Sequence, residues 1–375
     1  MNIGFDAKRA VQNHTGLGNY SRYILEILSA HYPDNRYILF APKRKPNDRL
    51  GILHERTNVA FAYPSGLSKV LPAIWRTIFI RKDLKKKGID IFHGLSNELP
   101  VGIRRSNIKF VVSIHDLIFM RYPEFYKPID RAIYRWKFRQ ACRIANKIIA
   151  ISECTKRDIQ TFFAIPEDKI AVVYQGCHPQ FQQTVSEEKK QEVRERYALP
   201  RRYILSVGSI EPRKNLLLAA KALRELADDI HLVAIGKSTP YQQEIERYAR
   251  QYGLCSRLHI LNSVSFADLP AIYKLSTVFV YPSRFEGFGI PIIEALSCGV
   301  PVVASSGSCL EEAGGPASIY VHPDDANALA RQLNRIINDK QLARRMQEAG
   351  KEYVKQFDHA RIASEILRIY QSLHL

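Results

Sequence analysis

Short apolar runs alternate along the whole chain with longer stretches in which apolar residues recur every third or fourth position. This is the rhythm of parallel strands covered by helices. In the first half the runs predict strands at 2–7, 37–41, 59–63, 89–93, 109–114, 147–151 and 171–174. In the second half they fall at 203–207, 231–235, 258–261, 278–281 and 302–304. Uninterrupted runs such as Val278-Phe279-Val280-Tyr281 read as strands buried on both faces. Between the two sets lies Gln175-Gly176-Cys177-His178-Pro179, a Gly- and Pro-marked linker candidate followed by the charged run Ser186–Glu195. The pattern therefore predicts an α/β chain of two Rossmann-like domains, 1–178 and 179–358. From Asp358 to Leu375, Ile362, Ile366, Leu367, Ile369 and Tyr370 recur at helical spacing and predict one amphipathic helix.

The 375 residues, 46% of them hydrophobic, are ample for two cores. No window approaches the roughly 20 uninterrupted apolar residues of a membrane span. Met1-Asn2-Ile3-Gly4-Phe5-Asp6 reads as a first strand and lacks the basic-then-apolar layout of a signal peptide. The six cysteines form no C-x-x-C pair or metal spacing, which suggests reduced thiols in a cytoplasmic protein.

Charge adds a question that the pattern does not answer. The net charge is +18, and residues 1–175 hold about 30 Lys and Arg against about 15 Asp and Glu. Such asymmetry implies an anionic partner: nucleic acid, a membrane surface or an acidic substrate. Two stretches mix these cations with aromatic residues. Arg121–Lys147 interleaves Tyr122, Phe125, Tyr126, Tyr134, Trp136 and Phe138 with basic residues, and 69–82 carries Trp75 and Phe79 before Lys85-Lys86-Lys87. Each fits a base-stacking surface, an interfacial helix on anionic lipid, or a core helix with a solvated basic face.

Candidate chemistry gathers at predicted strand ends. After the strand at 278–281, Gly287 and Gly289 make a tight turn, and Pro291 suits the first position of a helix. A strand, a glycine turn and a helix N-terminus form an anion-binding corner. Glu286 and Glu294 flank it, and carboxylates repel phosphate but accept hydrogen bonds from hydroxyl groups beside it. After the strand at 203–207 come Arg213 and Lys214, cations at a helix start. They oppose the macrodipole there unless an anion lies between. The loop Asn13-His14-Thr15-Gly16-Leu17-Gly18 precedes another helix, but its missing third glycine counts against a nicotinamide cofactor. His115 ends a strand, Asp116 is placed to orient it or the loop, and His93 and Asn97 read as acceptor-side or structural.

The string F-E-G-F-G-I-P-x-x-E-A from Phe285, with Gly299-Val300-Pro301 and the G-x-x-x-x-R-K-N string from Gly208, resembles the retaining glycosyltransferases of family 4. The resemblance implies the GT-B fold: two Rossmann-like domains facing across a cleft, with 359–375 crossing back to the first. It implies an acceptor-binding domain 1–178 and a donor-binding domain 179–358. His115, Glu286, Arg213 and Lys214 would be catalytic. Arg213 and Lys214 would hold the donor phosphates, Glu286 and His115 the donor sugar, and Glu294 the ribose. Ser209, Asp116, Gly287, Phe288, Gly289 and Ile290 would line the donor. Val264 would hold the base through its backbone, and Gly16 and Gly18 would reach toward the diphosphate.

A D-x-D metal clamp is absent from the sequence, and the expectation is metal-independent transfer with retention, without a cofactor. Gly94–Pro100 and His115–Pro123 are similar to bacterial mannosyltransferases of surface-polysaccharide synthesis. That implies GDP-mannose as donor, a saccharide or polyprenyl-linked saccharide as acceptor, and a place in the cytoplasm or at the inner face of the membrane. Transfer of glucose, galactose or an N-acetyl sugar from a UDP donor stays open. So does a phosphorylase or hydrolase using the same donor site. An NAD-dependent oxidoreductase lacks its glycine fingerprint, and a nucleic-acid-binding module would leave the donor motif idle.

Overall fold

Near-continuous apolar runs become strands because parallel sheets flanked by helices on both faces have no wet side. The computed structural model describes residues 1–13, 15–102 and 107–374; His14 of the first glycine loop and Leu375 lie outside the described residues. The chain divides into two units, Met1–Gln175 with the segment from Asp358 onward, and Gly176–Phe357. The division thus falls three residues before the expected boundary at 178, inside the Gly- and Pro-marked segment.

The first unit holds strands β1 (Asn2–Asp6), β2 (Arg36–Phe40), β3 (Val59–Ala62), β4 (Ile91–Gly94), β5 (Lys109–Ile114), β6 (Lys147–Ala150) and β7 (Ile170–Val172). They form a seven-stranded parallel sheet in the order β3-β2-β1-β4-β5-β6-β7. The chain winds outward from β1 to β3 and then returns to β4, so the order reverses between β1 and β4. Ile3, Phe5, Val111, Val112, Ile148 and Ile149 are fully buried in its middle. The helix His359–His374 belongs to this unit and packs on the helix Gly16–His31, burying Ile362, Ala363, Ile366 and Tyr370. Burying three such large side chains is worth roughly 1.5–3 kcal/mol each. Tyr370 also hydrogen-bonds His93 Nδ1 at 2.6 Å, and His93 Nε2 meets Ser113 Oγ at 2.9 Å. His93 is therefore a buried tie between the last helix and the sheet, the structural alternative of its two expected roles.

The second unit holds β8 (Tyr203–Val207), β9 (His231–Ile235), β10 (Leu258–Leu261), β11 (Val278–Tyr281), β12 (Val302–Ser305) and β13 (Ile319–Val321). Its parallel sheet runs β10-β9-β8-β11-β12-β13, reversing between β8 and β11. The charged run that follows the linker is a helix of this unit, Glu187–Arg196, capped by Ser186 accepting from Lys189 N at 3.2 Å. Lys189 and Arg196 hold the buried Asp268 at 2.9 and 2.7 Å, so those charges fasten the helix to the unit. Among the described residues no helix is long and apolar enough to cross a membrane.

Candidate active site

Two loops leave the carboxyl ends of β8 and β11, the adjacent strands between which the second sheet reverses its order. In open α/β sheets this is where loops diverge and ligands bind. The β8 loop turns through Pro212–Lys214 and reaches the helix Leu216–Leu223 by way of Asn215 in the left-handed region, φ 56°. Asn215 is buried, and its Nδ2 donates to Pro282 O at 3.1 Å and Pro323 O at 2.7 Å. Arg284 N donates to Arg213 O at 2.9 Å. The two loops are thus stitched together through their backbones before any charged side chain is considered.

The expected cations and the first glutamate converge there. Glu286 Oε1 lies 2.6 Å from Lys214 Nζ and 2.9 Å from Arg213 Nη1, and accepts from Ser283 Oγ at 2.5 Å. Lys214 also donates to Tyr281 OH at 2.7 Å, and Arg213 to Glu211 Oε1 at 2.7 Å and Phe285 O at 2.6 Å. These side chains are 12–17% exposed: enclosed, yet open to a ligand. Burial by itself would raise the Glu286 pKa, but Lys214 and then Arg213 outweigh it and hold it at about 2. Burial likewise works against the Arg213 charge, and Glu286 and then Glu211 reverse that effect, raising its pKa. The site is a preformed ionic cluster whose cations are fixed in position.

Glu294 stands apart from these ions. Its Oε2 accepts from Tyr273 OH at 2.8 Å, and burial lifts its pKa to about 7 despite that bond. It lies in the helix Ile290–Ser297, which starts one residue before the expected Pro291 because Gly289, φ 142°, takes the cap position. The turn between the glutamates is held from below by Cys309, whose Sγ lies 3.0 Å from both Glu286 O and Phe288 O. Gly287 and Phe288 form that turn, Ser209 lies in the β8 loop, and Val264 in the loop that follows β10. Tyr281, Ser283, Tyr273 and Cys309 were given no role from the sequence, and Asn215 entered only as the end of the R-K-N string. Tyr281 was read simply as part of an apolar strand, and a lone cysteine or serine carries no pattern.

The remaining candidates form a group in the first unit. His115 follows β5, donates from Nε2 to Leu95 O at 2.9 Å, and packs edge-on against Tyr20 with ring centroids 4.5 Å apart. Its own N–H donates to Asn97 Oδ1 at 2.8 Å. Burial depresses its pKa to about 4, so it is neutral at pH 7. Asp116 Oδ1 accepts from Ile118 N at 3.1 Å and so shapes the loop. Gly16 and Gly18 open the helix that carries Tyr20, but they differ. A Cβ on Gly16 would meet open space, whereas one on Gly18 would lie 1.9 Å from Asn13 O. Gly18 is required by the close approach of the loop, and Gly16 is the one available to a ligand.

Residues 16–181 match the model of Glycosyltransferase Family 4, and residues 187–353 that of Glycosyl transferases group 1. The O-antigen chain mannosyltransferase B of Escherichia coli is 30% identical over 293 residues, covering 76% of this chain and 74% of that protein. The serotype-specific mannosyltransferase WbdA of Escherichia coli is 33% identical over 269 residues, covering 69% of this chain but only 33% of that longer protein. Sucrose-phosphate synthase from Thermosynechococcus elongatus shares the fold, with TM-score 0.80 over 100% of this chain and 99% of that one at 22% identity. With two Rossmann-like units of the GT-B kind and matches across both, this chain is a glycosyltransferase and belongs to family 4.

Proposed function

We propose that the chain transfers mannose from GDP-mannose, with retention and without a metal, to a saccharide or lipid-carried saccharide in surface-polysaccharide synthesis. The observation that carries this reading is the Arg213–Lys214–Glu286 cluster at the strand-order reversal of the second sheet. The names of the Escherichia coli mannosyltransferases support the choice of sugar.

Departure of a nucleoside diphosphate develops negative charge, and fixed cations and amide dipoles stabilise it without reorganising. Arg213 and Lys214, with the Gly287–Ile290 turn at a helix N-terminus, would supply them. Glu286, anionic at all working pH, would bind donor-sugar hydroxyls through its second oxygen and steady positive character at the anomeric carbon. Glu294 would hold the ribose, Ser209 the phosphates, and the Val264 backbone the base. Neutral His115, with Nε2 committed to Leu95, would offer Nδ1 to the sugar, with Asp116 shaping its loop and Gly16 close to the diphosphate. The acceptor hydroxyl would attack from the leaving-group face, its proton passing to a departing phosphate oxygen.

A peripheral contact with anionic membrane belongs to this reading. Val70, Leu71, Ile74, Ile78 and Phe79 are exposed before Lys82, Lys85, Lys86 and Lys87. Sedimentation with anionic but not neutral vesicles would support it. In the other basic stretch Tyr126, Tyr134 and Phe138 contact Phe119, while Ile129, Ile133 and Trp136 are exposed.

The deciding experiment is calorimetric binding of GDP against UDP, followed by turnover of the matching sugar nucleotides with and without EDTA. GDP selectivity, mannose transfer and an α-configured product in EDTA are expected. Turnover of UDP-glucose or another UDP sugar alone would overturn the donor assignment.

A further inference from the structure

A continuous chain of hydrogen bonds runs through the interior of the first unit and ends beside His115. Sheet geometry prepares it. β4 and β5 pair with His93 opposite Val111, and strand alternation places His93, Val111 and Ser113 on one face. Tyr20 of the helix Gly16–His31 and Tyr370 of the helix His359–His374 reach that face. Tyr370 OH lies 2.6 Å from His93 Nδ1, His93 Nε2 lies 2.9 Å from Ser113 Oγ, and Ser113 Oγ lies 2.7 Å from Tyr20 OH. The Tyr20 ring then meets the His115 ring edge-on, with centroids 4.5 Å apart. All five side chains are buried.

Protonation makes the chain directional. Burial, and then His115, lower the His93 pKa to about 3, so the ring is neutral at pH 7, with one N–H and one lone pair. It donates to one hydroxyl and accepts from the other. Burial raises the pKa values of Tyr20 and Tyr370, so both phenols stay protonated. Ser113 Oγ has one proton for two partners, and both are satisfied when it donates to one and accepts from the other. All three bonds then point the same way, and reversing one reverses the rest.

A tie between the last helix and the sheet needs only Tyr370 and His93. The chain continues for two more groups, to the ring packed on His115. The backbone of His115 is held by Asn97 Oδ1 at its N–H and by Thr155 Oγ1 at its carbonyl, 3.1 Å away. The bond to Leu95 O fixes Nε2, and a ring held at one atom can pivot about it. The edge-on Tyr20 ring closes off that pivot, and the bond to Ser113 keeps Tyr20 from turning away.

We propose that Tyr20 is a positioning residue for His115, held by the Ser113–His93–Tyr370 chain, so that docking of the last helix sets the tilt of the His115 ring. The inference rests on the reading of His115 as a donor-sugar contact but not on which sugar is moved. Its test uses the full chain with isotope-labelled histidine, native and as Tyr20→Phe and Tyr370→Phe. Each substitution removes one hydroxyl and keeps the ring, and melting curves show that each variant is folded. The His115 ring signals are assigned by their loss in His115→Gln. A neighbouring aromatic ring displaces such signals according to distance and tilt, so both hydroxyl variants are expected to move them. Single-turnover transfer should fall roughly three- to tenfold in each, in the maximal rate and not in the half-saturating donor concentration, as loss of about one hydrogen bond does. Ile366→Val trims the buried face of the same helix without touching the chain of bonds, and should leave both readouts native. Ring signals that stay native in either hydroxyl variant overturn the proposal. So do native rates in both, or an equal displacement in Ile366→Val, which would mean general loosening. Failure to turn over GDP-mannose would sink the donor assignment alone, since the ring signals are read without donor and still decide the positioning.

Discussion

Lys214→Ala tests the candidate active site most directly. Lys214 is 16% exposed, with Nζ 2.6 Å from Glu286 Oε1 and 2.7 Å from Tyr281 OH. It is the foremost of the groups that keep Glu286 near pKa 2 against burial, from an ordinary 4.5. At about 1.4 kcal/mol per unit, that shift corresponds to roughly 3 kcal/mol. A depressed carboxylate pKa contributes stability above pH 4.5 and loses it as pH falls through about 2. Removing the lysine should therefore cost on the order of 2–3 kcal/mol at pH 7, since it leaves a buried carboxylate short of a partner. The gap from the native chain should narrow as pH falls from 4.5 toward 2. Catalysis should suffer separately. Loss of one preorganised group facing the departing diphosphate costs about 100- to 1,000-fold in kcat. Single-turnover release of GDP from GDP-mannose reads this, with melting curves showing that the variant is folded. Lys214→Arg, which keeps charge but changes its geometry, should fall in between. A folded Lys214→Ala enzyme turning over within about fivefold of native would refute the phosphate role of this cation.

Further expectations follow from single contacts. Gly18→Ala should lower stability by at least about 2 kcal/mol through its clash with Asn13 O, while Gly16→Ala, facing open space, should melt like the native chain; equal melting of the two variants would remove the clash from the account. Cys309→Ala should weaken donor affinity about three- to tenfold by releasing the glycine turn, and Cys309→Ser, which keeps a donor, should restore most of it; equal affinities would remove the thiol from the account. Glu294, with its pKa raised to about 7, contributes stability below pH 4.5 that is lost as pH rises through 7. Glu294→Gln should accordingly melt higher than the native chain at pH 8, by on the order of 2–3 kcal/mol, and like it at pH 4; a constant gap would contradict the raised pKa.

Much of the architecture was legible because its causes are local. A strand covered on both faces must be apolar throughout, so runs such as 278–281 announced themselves, and a Gly- and Pro-marked break separated the two sets. The strand Ile319–Val321 escaped because three residues at a sheet edge carry too short a pattern. The charged run after the linker gave no apolar stripe, because its helix buries little more than Val193 and is fastened by ions instead. The helix start at Ile290 rather than Pro291 reflects a cap taken by a glycine conformation that residue types do not specify.

At the site, the identities of Arg213, Lys214, Glu286 and Glu294 were readable as motifs, each within one loop. That the first three share ions was decided by the sheet. β8 pairs with β11 across more than 70 residues of chain, and this pairing brings two unrelated loops to one corner. The same holds for Arg76, whose partner Asp6 lies 70 residues away at the end of β1. Sequence alone determined twelve of the thirteen strands among the described residues, the last amphipathic helix and the chemical kinds of residue at the strand ends, because periodicity and turn chemistry act over a few neighbours. Which charges meet, which are buried, and hence which pKa values move, belong to the tertiary structure, because Coulombic and desolvation energies depend on distance through space and not along the chain.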